Sequence, residues 1–161
     1  MELRPLVPAD WDALFAVASD PLIWEQHPAS NRYQEPVFRE FFQGALASGG
    51  ALVVLDRKTQ TIIGSSRYFG HDAIAREIEI GWTFLARKYW GGAYNADMKR
   101  LMVGHILRHV DRVIFQVGIS NFRSRRAMEK VGAIDSGEIR RTPQPDGRIL
   151  ESVVYEIRRQ V

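Results

Sequence analysis

Residues 77–100 read EIEIGWTFLARKYWGGAYNADMKR. The first half alternates, with Glu77 and Glu79 on one face and Ile78 and Ile80 on the other, the pattern of a half-buried strand. Gly81 inside that run predicts a bulge or a close backbone approach. The second half sets Tyr94, Met98, Leu101, Met102 and Ile106 at helical spacing, which predicts a helix running to about His109. Gly91, Gly92 and Ala93 lie between the two. A strand entering a helix through such a turn leaves free amides at the helix start, where the dipole adds about half a positive charge and suits phosphate. Arg87 and Lys88 add cationic side chains beside it. A plain strand-to-helix turn accounts for the glycine pair as well, so the surrounding chain has to decide. No GKS or GKT follows and no G-x-G-x-x-G is present, which excludes a Walker loop and a dinucleotide fingerprint.

Outward from this stretch, the N-terminal ELRPLV alternates as a strand, and Trp11, Leu14, Phe15 and Ala18 keep helical spacing between Pro8 and Pro21. Residues 22–34 show no period and contain Pro28, so a loop with a short turn is expected. Val37, Phe38, Phe41, Phe42 and Leu46 mark a second helix. ALVVLD and TIIGSSRYFG, separated by RKTQ, form a hairpin signal. Beyond the central stretch, DRVIFQVGI is a continuous apolar run, as in a strand buried on both faces. NFRSRRAMEKVGA predicts a short helix ending at Gly132, and PQPDG joins SGEIRRT to RILESVVYEIRR as a second hairpin. The order is β-α-α-β-β-β-α-β-α-β-β. A right-handed parallel strand-helix-strand unit over 76–119, flanked by antiparallel hairpins, predicts an α/β fold with a mixed, mostly antiparallel sheet in one domain over 1–161.

The chain has 161 residues, of which 45% are apolar and 25% charged, the ordinary globular range. It has no cysteine, which excludes thiolate nucleophiles, acyl-cysteine intermediates, disulfides and cysteine zinc sites, and fits a reducing cytosol. The first residues lack a basic lead followed by an apolar run, and no apolar stretch reaches membrane-spanning length. A soluble cytoplasmic protein without a membrane partner is the expectation. The formal charge of +3 suits an anionic small molecule as well as nucleic acid. With no reading helix or stacking motif, nucleic acid is the less favoured partner. His71, His105 and His109 show no metal-ligand spacing with carboxylates, so no metal is expected.

KYWGGA, residues 88–93, resembles the Q/R-x-x-G-x-G/A pyrophosphate loop of the GNAT acetyltransferase superfamily. The surrounding EIGWTFLARKYWGGAYNADM resembles its RimJ/RimL-type branch, with an E-I-G-[YW] strand and a Y-W-G turn. A second match, NFRSRRAMEKVGA over 121–133, resembles the N-x-x-[AS]…E-K-x-G-[FA] element that follows the fifth strand of that family. The resemblance is best between 76 and 135 and weak before residue 50. Two positions depart from it. Lys88 replaces the usual Gln or Arg, and Met128 replaces a tyrosine that protonates the leaving thiolate in many members.

The resemblance implies the acyl-CoA N-acyltransferase fold and acetyl-CoA as cofactor, held between strands 76–85 and 112–119. Its pantetheine would pair with backbone at Phe84 and Leu85. The pyrophosphate would rest on residues 88–95, which include Gly91, Gly92, Ala93, Tyr94 and Asn95, with Arg87 and Lys88 alongside. Asn121 and Ser124 would contact the pantetheine arm, and Arg126, with Arg123 as a second candidate, the adenosine phosphate. Transfer would run directly from thioester to a primary amine, of a protein N-terminus or a small molecule. Glu79 is the candidate base, with Glu77 on the same face and a polar, solvated strand face as the structural alternative for both. A backbone amide between Gly81 and Phe84 would hold the oxyanion. Ser124, relaying a water, is the candidate donor to the thiolate, with release as free thiolate as the alternative. For the acceptor, the candidates are Trp24, His27, Tyr33, Tyr68 and Trp82, together with the final hairpin turn; core packing is the alternative for the aromatics. A non-catalytic acyl-CoA sensor is the competing function, and a homodimer is a further expectation.

Overall fold

The computed structural model describes residues 1–144 and 147–160. Its elements are β1 (Glu2–Pro5), α1 (Trp11–Ala18), α2 (Glu35–Ala47), β2 (Ala51–Leu55), β3 (Ile62–Asp72), β4 (Glu77–Leu85), α3 (Tyr94–Ile106), β5 (Arg112–Gly118), α4 (Phe122–Lys130), β6 (Ile134–Pro143) and β7 (Ile149–Arg158). That is the order read from the sequence. The strands run β1-β2-β3-β4-β5-β7-β6 in a seven-stranded sheet. β4 and β5 pair in parallel from Glu77↔Arg112 to Glu79↔Ile114. The β1–β2, β2–β3, β5–β7 and β6–β7 ladders are antiparallel. The fold is thus mixed α/β with a mostly antiparallel sheet and one parallel pair. The chain divides into two compact units, Met1–Phe69 with Gly81–Met98, and Gly70–Ile80 with the chain from Lys99 onward.

In the first unit the helices supply the core. Leu14 and Ala18 of α1, Phe38, Phe42 and Ala45 of α2, Val53 and Leu55 of β2 and Phe84 of β4 form one apolar cluster. Trp24, from the irregular segment, is buried in the same cluster, and its indole Nε1 donates to the Ala18 carbonyl at 2.7 Å. A buried indole needs such an acceptor. Close backbone approach fixes Gly64, where an added Cβ would lie 2.1 Å from the Phe84 carbonyl oxygen. The irregularity expected at Gly81 falls one residue later. Trp82 adopts φ 52°, a left-handed conformation that costs a non-glycine residue about 1–3 kcal/mol. Its ring is held edge-on to Phe69 at 4.9 Å and carries the Arg67 guanidinium at 4.9 Å, so side-chain contacts oppose the backbone cost.

In the second unit the core is built from Ile78 and Ile80 of β4, Met102 and Val103 of α3, Val113, Ile114, Phe115 and Val117 of β5, Met128 of α4 and Val153, Val154 and Tyr155 of β7. The apolar run of β5 is buried as its lack of alternation predicts. α3 differs from its sequence reading in two ways. It ends at Ile106 rather than His109, and Leu101, expected on the buried side, is 49% exposed. Each residue turns a helix by about 100°, so buried Met98, Lys99, Met102 and Val103 define an arc that leaves Leu101 outside. A lysine, not a leucine, completes the inward face.

Candidate active site

Within the first unit, the chain after β4 makes a 3-10 turn over Arg87–Tyr89 and enters α3 at Tyr94. Two aromatics pin it. Tyr89 is buried, donates its phenol to Asp56 Oδ2 at 3.0 Å and meets Tyr94 edge to face at 4.7 Å. Trp90 donates its indole N–H to the Leu85 carbonyl at 2.9 Å. Gly91 has φ 74°, which glycine adopts without strain. A Cβ added at Gly91 or Gly92 would meet no atom within 4 Å. The first backbone bond into the helix runs from Asp97 N to Ala93 O, so the amides of Tyr94, Asn95 and Ala96 are the unpaired first-turn donors of α3. This open, amide-rich turn has the shape and polarity that a diphosphate requires. Arg87 is held by Asp20 at 2.5 Å, and the Lys88 ammonium lies 4.9 Å from the Tyr89 ring centroid. Phe84 and Leu85 bury their side chains. The parallel ladder ends at Glu79, so residues 81–85 have β3 as their ladder neighbour among the described residues.

Within the second unit the two strand glutamates part company. Glu77 takes an Arg112 Nη1 contact at 2.5 Å and an Arg140 Nη2 contact at 3.5 Å. Arg112 also binds Glu156 at 2.5 Å, and Arg140 binds Glu138 at 2.7 Å. Arg140 holds the Glu138 carboxyl below its ordinary range, and Arg158 does the same for Glu156. Glu79 instead accepts one hydrogen bond on Oε2 from Gln116 Nε2 at 2.7 Å, and its Oε1 has no hydrogen bond among the described residues. Burial raises its pKa, opposed by the Gln116 bond and by the charges of Arg140 and Lys99. Lys99, 3% exposed, sets its ammonium 5.0 Å from the Phe115 ring centroid. Burial pushes its pKa down to about 7, and Glu79 pulls it upward. A half-buried carboxylate whose proton affinity is raised by burial, within the field of a buried lysine, is an arrangement able to accept a proton.

Asn121 caps α4, its side-chain oxygen accepting from Ser124 N at 3.1 Å. Ser124 is half-buried, Arg123 and Arg126 are exposed and Met128 is buried. Among the acceptor candidates, Trp24 lies in the core and His27 meets it edge-on at 5.5 Å, with His27 Nδ1 accepting from Ala29 N at 2.9 Å. Tyr33 is exposed, and burial pushes the Tyr68 phenol up to about 12. Trp82 is half-buried. Pro145 and Asp146, in the final hairpin turn, lie outside the described residues. Sequence reasoning passed over Lys99, Arg32 and Arg67. Lys99 was visible four residues before Val103 on an otherwise apolar arc, and Arg67 was visible as a charge inside a β-branched run.

The family model of the GNAT acetyltransferase domain matches residues 1–134. No curated protein matches the sequence. Among solved structures, a GCN5-related N-acetyltransferase from Brucella melitensis superposes with TM-score 0.78 at 21% identity, covering 97% of this chain and 74% of that one. A GNAT-family acetyltransferase from Bacillus anthracis gives TM-score 0.75 at 19% identity, covering 97% and 93%. Spermidine N-acetyltransferase from Vibrio cholerae, in complex with CoA and spermine, gives 0.72 at 15%, covering 98% and 94%. At these identities the structures share the fold, and the family follows from the domain match. The chain belongs to the GNAT acetyltransferase family, N-acetyltransferase enzymes that use acetyl-CoA.

Proposed function

We propose that this protein, as one catalytic domain, transfers an acetyl group from acetyl-CoA directly to a primary amine, with Glu79 as the base. The observation that carries this reading is the Glu79 environment: one carboxylate oxygen fixed by Gln116, the other open, and a pKa raised by burial. Acetyl-CoA, when bound, supplies an activated thioester and a thiol that leaves readily. The chain's part is to hold it and to handle protons. The turn over 88–95 supports the diphosphate through backbone amides, and the backbone of 84–85 offers a strand edge to pantetheine. Glu79 Oε1 takes the proton that the amine must lose as its nitrogen forms the new C–N bond and the thioester C–S bond breaks, the sulfur leaving as thiolate. With no cysteine in the chain, no acyl-cysteine intervenes. Asn121 positions α4 and the Ser124 hydroxyl. Glu77, tied to Arg112 and Arg140, shapes the charge around Glu79.

The RimJ/RimL-type resemblance favours a protein N-terminal amine, whereas the spermidine N-acetyltransferase neighbour points toward small amines. One observation favours a non-catalytic acyl-CoA sensor instead: Met128, where many relatives carry a proton donor, is buried and cannot ionise. The Glu79→Gln variant separates the readings. For an enzyme, kcat falls by about 10²–10⁴-fold while acetyl-CoA affinity stays within twofold, and the deficit narrows as pH approaches the amine's own pKa. Equal turnover by the variant at neutral pH rejects Glu79 as base. Acetyl-CoA binding without CoA release across a broad amine panel establishes the sensor.

A further inference from the structure

Two arginines of the first unit sit together with no acidic partner among the described residues. Arg67, in the middle of β3, is 7% exposed, and its Nε is buried without a hydrogen-bond partner among the described residues. Its Nη2 donates to the Phe41 carbonyl, at 3.4 Å. Arg32, from the irregular segment before α2, stacks its guanidinium 4.6 Å from the Phe41 ring centroid and 5.2 Å from that of Trp24. Arg67 lies 5.4 Å from the same Phe41 ring and 4.9 Å from Trp82. The two cations share one aromatic platform. Burial and the repulsion of Arg67 lower the pKa of Arg32 to about 10, and burial lowers that of Arg67. No carboxylate among the described residues acts on either.

Ring faces attract a guanidinium but accept none of its in-plane N–H groups. A buried donor without an acceptor, beside a like charge, is costly in isolation. Both costs reverse when an anion with two or more acceptor oxygens enters, because each guanidinium presents a planar fork to it. Trp82, whose ring stacks on Arg67, follows Glu79 by three residues along β4. The irregular segment carrying Arg32 is also where the sequence reading expects the acceptor.

We propose that Arg32 and Arg67 form an anion subsite for the acceptor, so that the amine acetylated by this protein is a small molecule carrying a carboxylate or a phosphate. This rests on the reading of the protein as an amine acetyltransferase. Polyamines are then disfavoured, since two cations face the incoming group. The aromatic walls supply shape, and the arginines supply charge selection.

The test compares matched amines at saturating acetyl-CoA: β-alanine against β-alaninamide, phosphoethanolamine against ethanolamine, and spermidine alone. A thiol-reactive dye reads released CoA without background, because the protein has no cysteine. The expected result is kcat/KM about tenfold or more higher for the anionic member of at least one pair. The favoured pair tells carboxylate from phosphate. Arg32→Gln, at a half-buried position of an irregular segment, should remove that preference by about tenfold to a hundredfold while acetyl-CoA affinity is retained. Arg67→Gln should act likewise if it folds. Equal rates within both pairs, or a preference for spermidine, overturn the subsite while leaving acetyl transfer intact. If acetyl-CoA binds and no amine reacts, the transfer reading fails. Calorimetric titration with phosphoethanolamine, β-alanine and inorganic phosphate then decides the subsite alone. Binding weakened by Arg32→Gln supports it, and no binding by any probe overturns it.

Discussion

Replacing Lys99 with methionine removes a buried titrating group and keeps an unbranched side chain in its place. Lys99 is 3% exposed, and burial lowers its pKa from 10.5 to about 7. Between those two values the unfolded chain holds a proton on this lysine that the folded protein has released. Stability therefore rises with pH across the window, by up to about 1.4 kcal/mol per pH unit. The penalty for the buried ammonium is fully present below pH 7 and gone above pH 10.5, a span worth about 5 kcal/mol at most. Other groups titrate here too, yet they cancel when the variant is subtracted from the wild type. Urea unfolding of both proteins at pH 7.5, 8.5 and 9.5, with matched m-values, should give a wild-type-minus-Lys99→Met difference that climbs with pH toward about 1 kcal/mol per step. Parallel stability curves would refute the buried, depressed lysine and with it the electrostatic coupling to Glu79. Loss of Lys99 should also move the acidic limb of kcat/KM upward, since its charge favours the ionised Glu79.

Two further predictions address the backbone. Gly92→Asp places a carboxylate where an added Cβ meets no atom within 4 Å, so the fold and Tm should be unchanged. CoA affinity, read by calorimetry, should fall roughly tenfold to a hundredfold from repulsion of the diphosphate; undiminished affinity would show that the diphosphate binds elsewhere. Gly64→Ala drives a methyl group to 2.1 Å from the Phe84 carbonyl oxygen. It should cost about 1–3 kcal/mol or more in chemical denaturation, and a wild-type Cm would contradict the close β3–β4 approach.

The succession of elements was legible because each local signal agreed with its neighbours: alternation in 77–80, an unbroken apolar run in β5, prolines bracketing α1 and glycine after α4. What was not legible depended on exact angular phase. Leu101 and Lys99 differ by two positions, about 200° around a helix, and hydropathy alone assigns the leucine inward. The structure does the reverse, because the inward arc is set by Met98, Met102 and Val103. The displaced kink has the same origin. Glycine was the natural residue for left-handed backbone, but Trp82 adopts it, anchored by Phe69 and Arg67. The burial of Arg67, a charge plain to see within its β-branched run, was hidden for a related reason. A charge in a strand reads as solvent-facing unless the segments that cover it are known, and Arg32 and Phe41 come from stretches with no strand periodicity.

The two glutamates show most directly why pattern stops short of chemistry. Glu77 and Glu79 are equivalent in alternation, two residues apart on one strand face. Moving along that face by one repeat changes the partner on β5 from Arg112 to Gln116. Arg112 and Arg140 hold the Glu77 carboxylate in ion pairs. A glutamine amide orients a carboxylate while leaving it free to titrate, and burial then raises the proton affinity of Glu79. The Gln116 bond and the charges of Arg140 and Lys99 oppose that rise. The two carboxylates thus differ in which β5 side chain reaches them: Arg112 is the register partner of Glu77, whereas Gln116 reaches Glu79 from two residues beyond its register partner Ile114.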